Sequence, residues 1–484
     1  MGEPPPGEPL IIPRNHTPME NPPEGIQIPG DDFRRRRIVN WMALGILYAF
    51  FYATRYNYTA VAPILAEIFG WKNTDLGVFE TVMPLVYGLS VVLNGPLADR
   101  VGGKRAFLFG AAGVIAANFL FGLAGLAVVS PAAWGGTGTS RHVVTPAVIS
   151  FGMSGGVLLT LMAVVWGLNG YFQSFGALSI VKVNAQWFHV RERGTFSGIF
   201  GVLIRMGLLL AFQGVPLILL VLPWQYAFWI PGACVAVMFA VNYLWMENSP
   251  ADAGFAGFDT GDESRDDGSP SSLKYVFARV FASRVTWTIA LGSMMIGFVR
   301  RSVVDAWWPK YFVDFHGARS ASFATYAPYI VATWGIALAG IAGGFVFGIT
   351  SDRTFAGRRA PVILFGFLGM AVVLALFGLS DMLNLGPIAA ACCLIALSFC
   401  VNGAHGMIGG AASMDFGGKK AAATAAGMFD GMQYLAGAFV GMGVGYVTTR
   451  WGWEAWHWAP IPFALAGAWL MSRIWNAVPK GRTP

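Results

Sequence analysis

Stretches of about twenty or more apolar residues alternate with short polar segments along most of the chain. A helix that crosses a bilayer needs about 20 predominantly apolar residues. With that window, the sequence predicts twelve membrane-spanning helices and an all-α fold. They are expected near residues 38–65, 76–97, 106–128, 152–185, 196–221, 226–246, 285–312, 323–350, 360–380, 387–413, 421–448 and 455–475.

A polar segment divides the predicted helices into two sets of six. Residues 247–284 are rich in Asp, Gly, Ser and Pro, which is typical of a flexible linker. The sequence therefore predicts a disordered tail at 1–37, six-helix bundles at 38–246 and 285–475, and a second tail at 476–484.

Basic residues cluster in alternate polar segments. The positive-inside rule assigns the side with more of them to the cytoplasm. They comprise the run DDFRRRR before the first helix and the basic residues near 100–105, 191–193, 353–359, 419–420 and 480–482. We therefore expect a multi-pass protein of the plasma membrane, with both termini and the linker in the cytoplasm.

Composition supports a chain dissolved in lipid and argues against several classes of function. Of its 484 residues, 55% are hydrophobic and only 12% are charged, whereas in soluble domains about a quarter are charged. The net charge of +7 lies in short loops between apolar runs, so we expect no nucleic-acid partner. The four cysteines show no metal-ligand spacing. The Gly-rich segment GGTGTS is not a nucleotide-binding loop, because no strand precedes it and no Gly-Lys-Ser or Gly-Lys-Thr follows. We expect no metal, no cofactor and no enzyme activity.

One motif occurs twice, about half a chain apart. GPLADRVGGKR follows the second predicted helix and GITSDRTFAGRR follows the eighth, so that Asp352 lies 253 positions after Asp99. The motif resembles the signature loop of the major facilitator superfamily, in which the aspartate can cap a helix end and pair with arginine at a gate. The predicted gate residues are Gly95, Asp99, Arg100, Gly348, Asp352 and Arg353.

Two arginines lie inside predicted membrane helices. Arg55 is in the first helix and Arg300 is in the seventh, 245 positions later. A charge at that depth costs a few kcal/mol and persists mainly where it lines a cavity. Two guanidinium groups without a carboxylate favour a bound anion, and their forked donors suit phosphate. The alternative, in which Arg300 or Arg301 pairs internally with Asp305, stays open.

Four segments together resemble the organophosphate:inorganic phosphate antiporters, which include the glycerol-3-phosphate and hexose-6-phosphate carriers. They are YATRYNYTAVAP, WFHVRERGTFSG, the R-x-x-x-x-D of the seventh helix, and DFGGKKAAATAAGMFDGMQYLAG. The resemblance implies the major facilitator fold in two pseudo-symmetric halves and a monomer that exchanges an organophosphate for inorganic phosphate. It implies a site around Arg55 and Arg300. It also implies that four tyrosines line the cavity: Tyr48, Tyr52, Tyr87 and Tyr434.

Three positions depart from the family pattern. Tyr56 stands where known members have Lys, and Val91 stands where the glycerol-phosphate carriers have Lys. Ile204, with Arg205 beside it, stands where those carriers have His. These departures leave the organic part of the substrate open.

Polar residues of the second half are candidates to contact that organic part. Asp430 could neutralise an unoccupied arginine or select a hydroxylated substrate, and His405 could reach the non-phosphate part. Two other functions stay open. One is a sugar-phosphate sensor that has lost transport, and the other is a proton-coupled carrier of another organic anion.

Overall fold

Helices make up nearly all of the chain that the structure describes. The structure is a computed structural model, and it describes residues 30–124, 155–188, 193–255, 258, 283–355, 357–408 and 413–477. The helices are α1 Asp31–Phe69, α2 Asn73–Val101, α3 Gly103–Ala124, α4 Gly155–Trp187, α5 Arg193–Leu209, α6 Tyr226–Trp245, α7 Arg284–Val299, α8 Ala327–Thr354, α9 Arg359–Met382, α10 Pro387–Gly406, α11 Ser413–Trp451 and α12 Ile461–Arg473.

A π-helical turn, which has one extra residue compared with an α-helical turn, directly follows two of these helices. Leu210–Gly214 leads from α5 into Val215–Leu219, and Arg300–Val304 leads from α7 towards Trp308–Asp314. Such turns are frequent at functional sites. The second one contains Arg300, the arginine predicted for the seventh helix.

Length and apolar composition alone mark seven helical segments of the described chain as able to cross a bilayer: α3, α4, residues 201–219, α6, α8, α9 and α10. The other five helices do not meet this criterion of length and apolar composition, for identifiable reasons. Polar residues interrupt α1, α2 and α11, the π-turn interrupts α7, and α12 has 13 residues. Together the twelve helices form an all-α membrane fold, as the sequence predicts.

The predicted tail at 1–37 is wrong for its last residues, because α1 begins at Asp31. Two acidic residues in the first turn complement the positive end of the helix dipole. Phe33 is buried and stacks on Trp187 at 5.9 Å, which anchors this end of α1 to α4. Residues 1–29, most of the predicted linker and residues 478–484 lie outside the described part of the chain.

The Asp-Arg part of each repeated motif lies on a helix and not in a loop. α2 continues to Val101 and ends at Gly102, whose φ of 94° is open to glycine but unfavourable for other residues. α8 likewise continues through Arg353 to Thr354. The charged ends of both helices extend past their apolar segments, where the sequence predicts loops.

Two seams join the halves. α2 packs against α11, and α5 packs against α8. α2 and α8 are the second helices of their halves, and α5 and α11 are the fifth. Each seam therefore joins the second helix of one half to the fifth helix of the other. The relation is that of parallel halves around an axis along the membrane normal.

The α2–α11 seam is tight at one end of the molecule. We call this end the distal face; it contains the turns between α1 and α2 and between α11 and α12, and the opposite end is the proximal face. A Cβ on Gly77 would lie 2.6 Å from the Gly441 oxygen, and one on Gly445 would lie 2.5 Å from the Asn73 oxygen. Backbones therefore touch at the distal face.

Several glycines towards the proximal face border open space. A Cβ on Gly427 or Gly431 of α11 would have no atom within 4 Å. On α8 the same is true of Gly344 and Gly348. The two halves thus meet closely on the distal side, and towards the proximal side these glycines border open space. We call the polar region between the halves, around Arg55 and Arg300, the cleft.

Candidate functional site

Arg55 is buried at the centre of the molecule with neutral partners. Its side chain lies on α1, and the residue is 4% exposed. Nε and Nη2 donate to the Gln173 amide oxygen at 3.3 and 3.1 Å, and Nη1 donates to the Tyr434 hydroxyl at 3.1 Å. Among the described residues no carboxylate forms an ion pair with Arg55. Its charge is therefore uncompensated by an opposite charge in direct contact.

The four predicted tyrosines surround this guanidinium. The rings of Tyr52 and Tyr87 lie 4.7 and 4.5 Å from its Cζ, in cation–π geometry. Tyr48 packs edge-on against Tyr52 at 5.2 Å, and Tyr87 contacts Tyr434 across the halves at 4.4 Å. Polarisable rings and hydroxyl groups thus solvate the charge without neutralising it.

Local helix geometry explains this arrangement. Tyr48, Tyr52 and Arg55 are spaced four and three residues apart, which places them on one face of α1. Gln173 on α4 is held in turn, because its amide nitrogen donates to the Phe51 carbonyl and to the Thr54 hydroxyl at 3.0 and 3.1 Å. The acceptor for Arg55 is therefore fixed in orientation.

Arg300 has a different environment. Its Nε lies 2.7 Å from the Asp305 carboxylate, and its Nη1 donates to the Gln433 amide oxygen at 2.6 Å. The π-turn brings the pair together, since the Asp305 backbone nitrogen donates to the Arg300 carbonyl at 2.9 Å. Internal pairing with Asp305, the alternative that the sequence leaves open, is thus present for Arg300. The expectation of two arginines without a carboxylate is wrong for this one.

The two arginines share neighbours. Tyr52 and Tyr434 interact electrostatically with both Arg55 and Arg300. Asp430 lies within electrostatic range of both arginines and forms no ion pair with either. These groups therefore lie near both arginines, between the two halves.

His405 and Arg205 complete the polar lining. The Gln433 amide nitrogen lies 2.9 Å from His405 Nδ1, so His405 connects to Arg300 through one side chain. Arg205 on α5 reaches across the second seam and donates to the Asn402 amide oxygen on α10. Arg205 also lines a pocket beside Asp305.

Sequence reasoning missed one charged group, Glu80 on α2. Its carboxylate lies 3.2 Å from Arg301 Nη2, in the other half of the molecule. Glu80 stands in the apolar run LGVFETVMPLVYG, so the rule that singled out Arg55 would also have found it. The partner could not have been identified, because nothing in the sequence connects α2 to the turn after α7.

The predicted gate residues are described only in part. Gly95, Asp99 and Arg100 are in the last turns of α2 and Asp352 is near the end of α8, but their side chains lie outside the described part of the chain. Arg353 is exposed in the last turn of α8. The gate role remains a prediction.

Comparison with known proteins agrees with this architecture. A model of the Major Facilitator Superfamily matches residues 44–442. The chain is 28% identical to a protein named glycerol-3-phosphate transporter from Bacillus subtilis, over 92% of this chain and 93% of that protein. It is 26% identical to a probable hexose phosphate transport protein from Chlamydia trachomatis, covering 92% and 91%. It is also 25% identical to the membrane sensor protein UhpC of Salmonella typhimurium, covering 88% and 86%.

Solved structures show the same fold. A bacterial homologue of the human lysosomal transporter Spinster, in an inward-facing and unoccupied conformation, superimposes with a TM-score of 0.69 at 13% identity. The alignment covers 93% of this chain and 99% of that one. The chain therefore belongs to the major facilitator superfamily, and over nearly its whole length it is similar to proteins named as glycerol-3-phosphate and hexose phosphate carriers.

Proposed function

We propose that this protein is a secondary transporter that exchanges a small organophosphate for inorganic phosphate. The observation that carries the proposal is Arg55, a buried guanidinium whose described contacts are all neutral. A charge buried in this way costs several kcal/mol unless an anion compensates it. The names of the relatives, which include carriers of glycerol-3-phosphate and hexose phosphate, support the same ligand chemistry.

The phosphate group would bind between the two halves. Arg55 can turn its fork from Gln173 and Tyr434 to two phosphate oxygens, since arginine and phosphate match in bidentate geometry. Arg300 can offer its second terminal nitrogen while it stays beside Asp305. Because these arginines belong to opposite halves, the anion would draw the halves together.

This arrangement supports obligatory exchange. With the site empty, the charge of Arg55 is buried beside neutral partners only, so a movement of the halves around it would keep the cost of an uncompensated charge. A bound phosphate removes the penalty. The halves would then rock around an occupied site at mid-membrane in alternating access.

The organic part of the substrate would lie towards the C-terminal half. Asp430, His405 and the Arg205–Asn402 pair line that side of the cleft and can form hydrogen bonds with hydroxyl groups. We assign the substrate to glycerol-3-phosphate or a sugar phosphate on this basis and on the names of the relatives. The working unit is a monomer in the plasma membrane, with both termini in the cytoplasm, so the distal face is external.

Exchange in reconstituted vesicles tests the proposal. Vesicles loaded with radiolabelled phosphate should release it when glycerol-3-phosphate or glucose-6-phosphate is added outside, and not when the outside holds buffer alone. Arg55→Lys and Arg300→Lys should each reduce exchange by about tenfold or more, because lysine cannot form the bidentate contact. Arg473→Lys, on the exposed end of α12, is the matched control. Normal exchange by both site variants would mean that the anion binds elsewhere.

A sensor is the second candidate. Tyr56, Val91 and Ile204 stand where carriers of the family have basic residues, and one relative is named a membrane sensor protein. A sensor would bind an organophosphate but would not carry it. Saturable phosphate binding without measurable exchange, in the same preparation, would favour this function.

A further inference from the structure

A buried ion pair joins the two halves on the distal side of the site. Glu80 belongs to α2 and Arg301 belongs to the π-turn after α7, and the two side chains are 12% and 9% exposed. Taking both charges out of water is costly, and a buried pair is weak support for stability as such. This pair depends on contact between the halves, because each half contributes one of the two charges.

The neighbours of the pair are distributed unequally. Glu80 keeps a partner in its own half, since the Thr59 hydroxyl on α1 donates to its other carboxylate oxygen at 3.1 Å. The hydrogen-bonding partners of Arg301, Glu80 and the Tyr56 hydroxyl, both belong to the opposite half. Separation of the halves would leave Glu80 held in place and would leave Arg301 without either of them.

The pair lies between the site and the distal face. On α1, Thr59 is one turn beyond Arg55, and on α2, Glu80 precedes Tyr87 by about two turns, or roughly 10 Å. The backbone of Glu80 touches α11, because a Cβ on Gly441 would lie 2.5 Å from the Glu80 carbonyl carbon. The ion pair is therefore part of the tight end of the α2–α11 seam.

Arg301 and Arg300 consequently do different things. Neighbouring residues on a helix point about 100° apart. Arg300 faces Gln433 and Asp305, towards the cleft, whereas Arg301 faces Glu80 in the other half. Gly437 on α11 makes room for the second side chain, since a Cβ there would lie 3.3 Å from Arg301 Cγ.

We propose that the Glu80–Arg301 ion pair holds the two halves together at the distal face, and we call this contact between the halves the distal gate and the ion pair its lock. Arg301 then acts on the opening of this gate and not on the substrate. The lock forms when the halves close at the distal face and breaks when they separate there. The inference rests on the alternating access of the proposed function. Its conformational readout requires no substrate.

Spin labels across the distal face measure the gate directly. The labels are placed on cysteines introduced at Glu67 and Thr449, exposed positions at the distal ends of α1 and α11. The background is the full chain with serine at its four cysteines, Cys234, Cys392, Cys393 and Cys400. Double electron–electron resonance then reports the distribution of distances across the gate in lipid nanodiscs without ligand.

Glu80→Gln and Arg301→Gln should each add or enlarge a longer-distance population, with the ratio of open to closed molecules rising by about tenfold or more. The double variant should resemble the single variants, because each removes the same interaction. Arg301→Lys keeps a charge beside Glu80 and should remain mostly closed. Glu247→Gln is the control; it removes a 3.2 Å ion pair with Lys104 inside the N-terminal half and should leave the distances unchanged.

Unchanged distances in folded, monodisperse Glu80→Gln and Arg301→Gln would overturn the lock, as would the same shift in the Glu247→Gln control. Loss of exchange is not part of this readout. A gate that responds as expected in a protein that does not exchange phosphate would overturn the proposed function and leave the lock standing. An unresponsive gate in a protein that exchanges normally would do the reverse.

Discussion

Arg55 carries its charge among partners that carry none: an amide oxygen, a hydroxyl group and two aromatic rings. Each of these is a weaker partner for a guanidinium than a phosphate would be. The site is thus held in shape before the ligand arrives, and the ligand replaces contacts that are easily given up. Arg300, beside Asp305, is the more firmly compensated arginine.

Removal of the Tyr434 hydroxyl should weaken anion binding. Tyr434→Phe takes away the hydroxyl that accepts from Arg55 across the halves and that can donate to a phosphate oxygen once Arg55 has turned to the ligand. A hydrogen bond to a charged group contributes about 1.5–3 kcal/mol, so the Kd for inorganic phosphate should rise by about tenfold to a hundredfold. Titration calorimetry in detergent measures this. Tyr446→Phe, at an exposed position of the same helix, should bind like the parent; an equal loss in both would refute a specific role.

Neutralising Asp305 should have the opposite effect. Asp305→Asn removes the carboxylate that competes with phosphate for Arg300, and the amide oxygen can still accept from Tyr56. The Kd for phosphate should fall by about three- to tenfold, since one positive charge becomes uncompensated. Weaker phosphate binding in this variant would contradict the competition. Asp314→Asn, which removes the pair with Lys310 away from the cleft, should leave the Kd unchanged.

At the residue scale, the sequence predicts which charged side chains belong to the site better than it predicts their partners. Arg55 stands out because an ionisable group in an apolar run has few explanations. Its acceptor Gln173 is more than a hundred positions away on another helix, so only tertiary packing could reveal it. Arg300 and Arg301 are indistinguishable along the chain, because what separates them is a π-turn and partners on other helices.

The element that defines the conformation is the α2–α11 seam. Glycines on both helices let the backbones touch near the distal face, and polar side chains join them there. The Met442 backbone nitrogen donates to the Thr81 hydroxyl at 2.9 Å, and the Asn73 amide donates to the Thr448 hydroxyl at 3.0 Å. Small residues are the usual means of close helix approach in membranes.

Gly441→Ala should destabilise this closed seam. The new Cβ would lie 2.4 Å from the Thr81 hydroxyl oxygen and 2.5 Å from the Glu80 backbone, so the helices must separate. Overpacking of this kind costs about 1–3 kcal/mol, and the Tm in detergent should fall by several degrees.

The control for that variant lies two residues further along α11. A Cβ on Gly443 meets nothing within 4 Å, so Gly443→Ala should leave the Tm unchanged or raise it slightly through helix propensity. Equal Tm values for the two variants would show that the seam tolerates separation and that the close contact has no energetic role.

Helix number and order follow from the apolar runs, whereas helix ends do not. α1 and α2 extend past their apolar segments by several residues, because charged ends in water are compatible with a helix. Capping and a glycine of positive φ, not hydropathy, set those boundaries. The tight end of the seam could not be predicted either, because the glycines that form it lie on two helices far apart in the chain.

At the scale of the whole molecule, exchange can continue only if closure at the distal face is reversible. Asn73→Cys with Thr448→Cys places two thiols where the side chains now share a hydrogen bond across the halves. In the cysteine-free background, oxidation should stop exchange and reduction should restore it, because the halves can no longer separate there.

A second pair of cysteines separates this effect from damage by oxidation. Asn94 and Ser174 are hydrogen-bonded at 2.8 Å within the N-terminal half. A disulfide between Asn94→Cys and Ser174→Cys should leave exchange intact, since it joins helices that move together. Continued exchange by the oxidised inter-half pair would contradict rocking of the two halves.

The neutral surroundings of Arg55 also bear on how the carrier responds to acidity. Glutamine does not ionise, and the pKa of a tyrosine hydroxyl is ordinarily about 10, so the groups that touch this arginine keep the same charge between about pH 5 and 8. A phosphate ester does change over that range, because its second ionisation falls at about pH 6. Below that pH the ligand gives up one of the two charges that attract it to the arginine, so acid conditions should weaken the attraction between Arg55 and the cargo by changing the cargo.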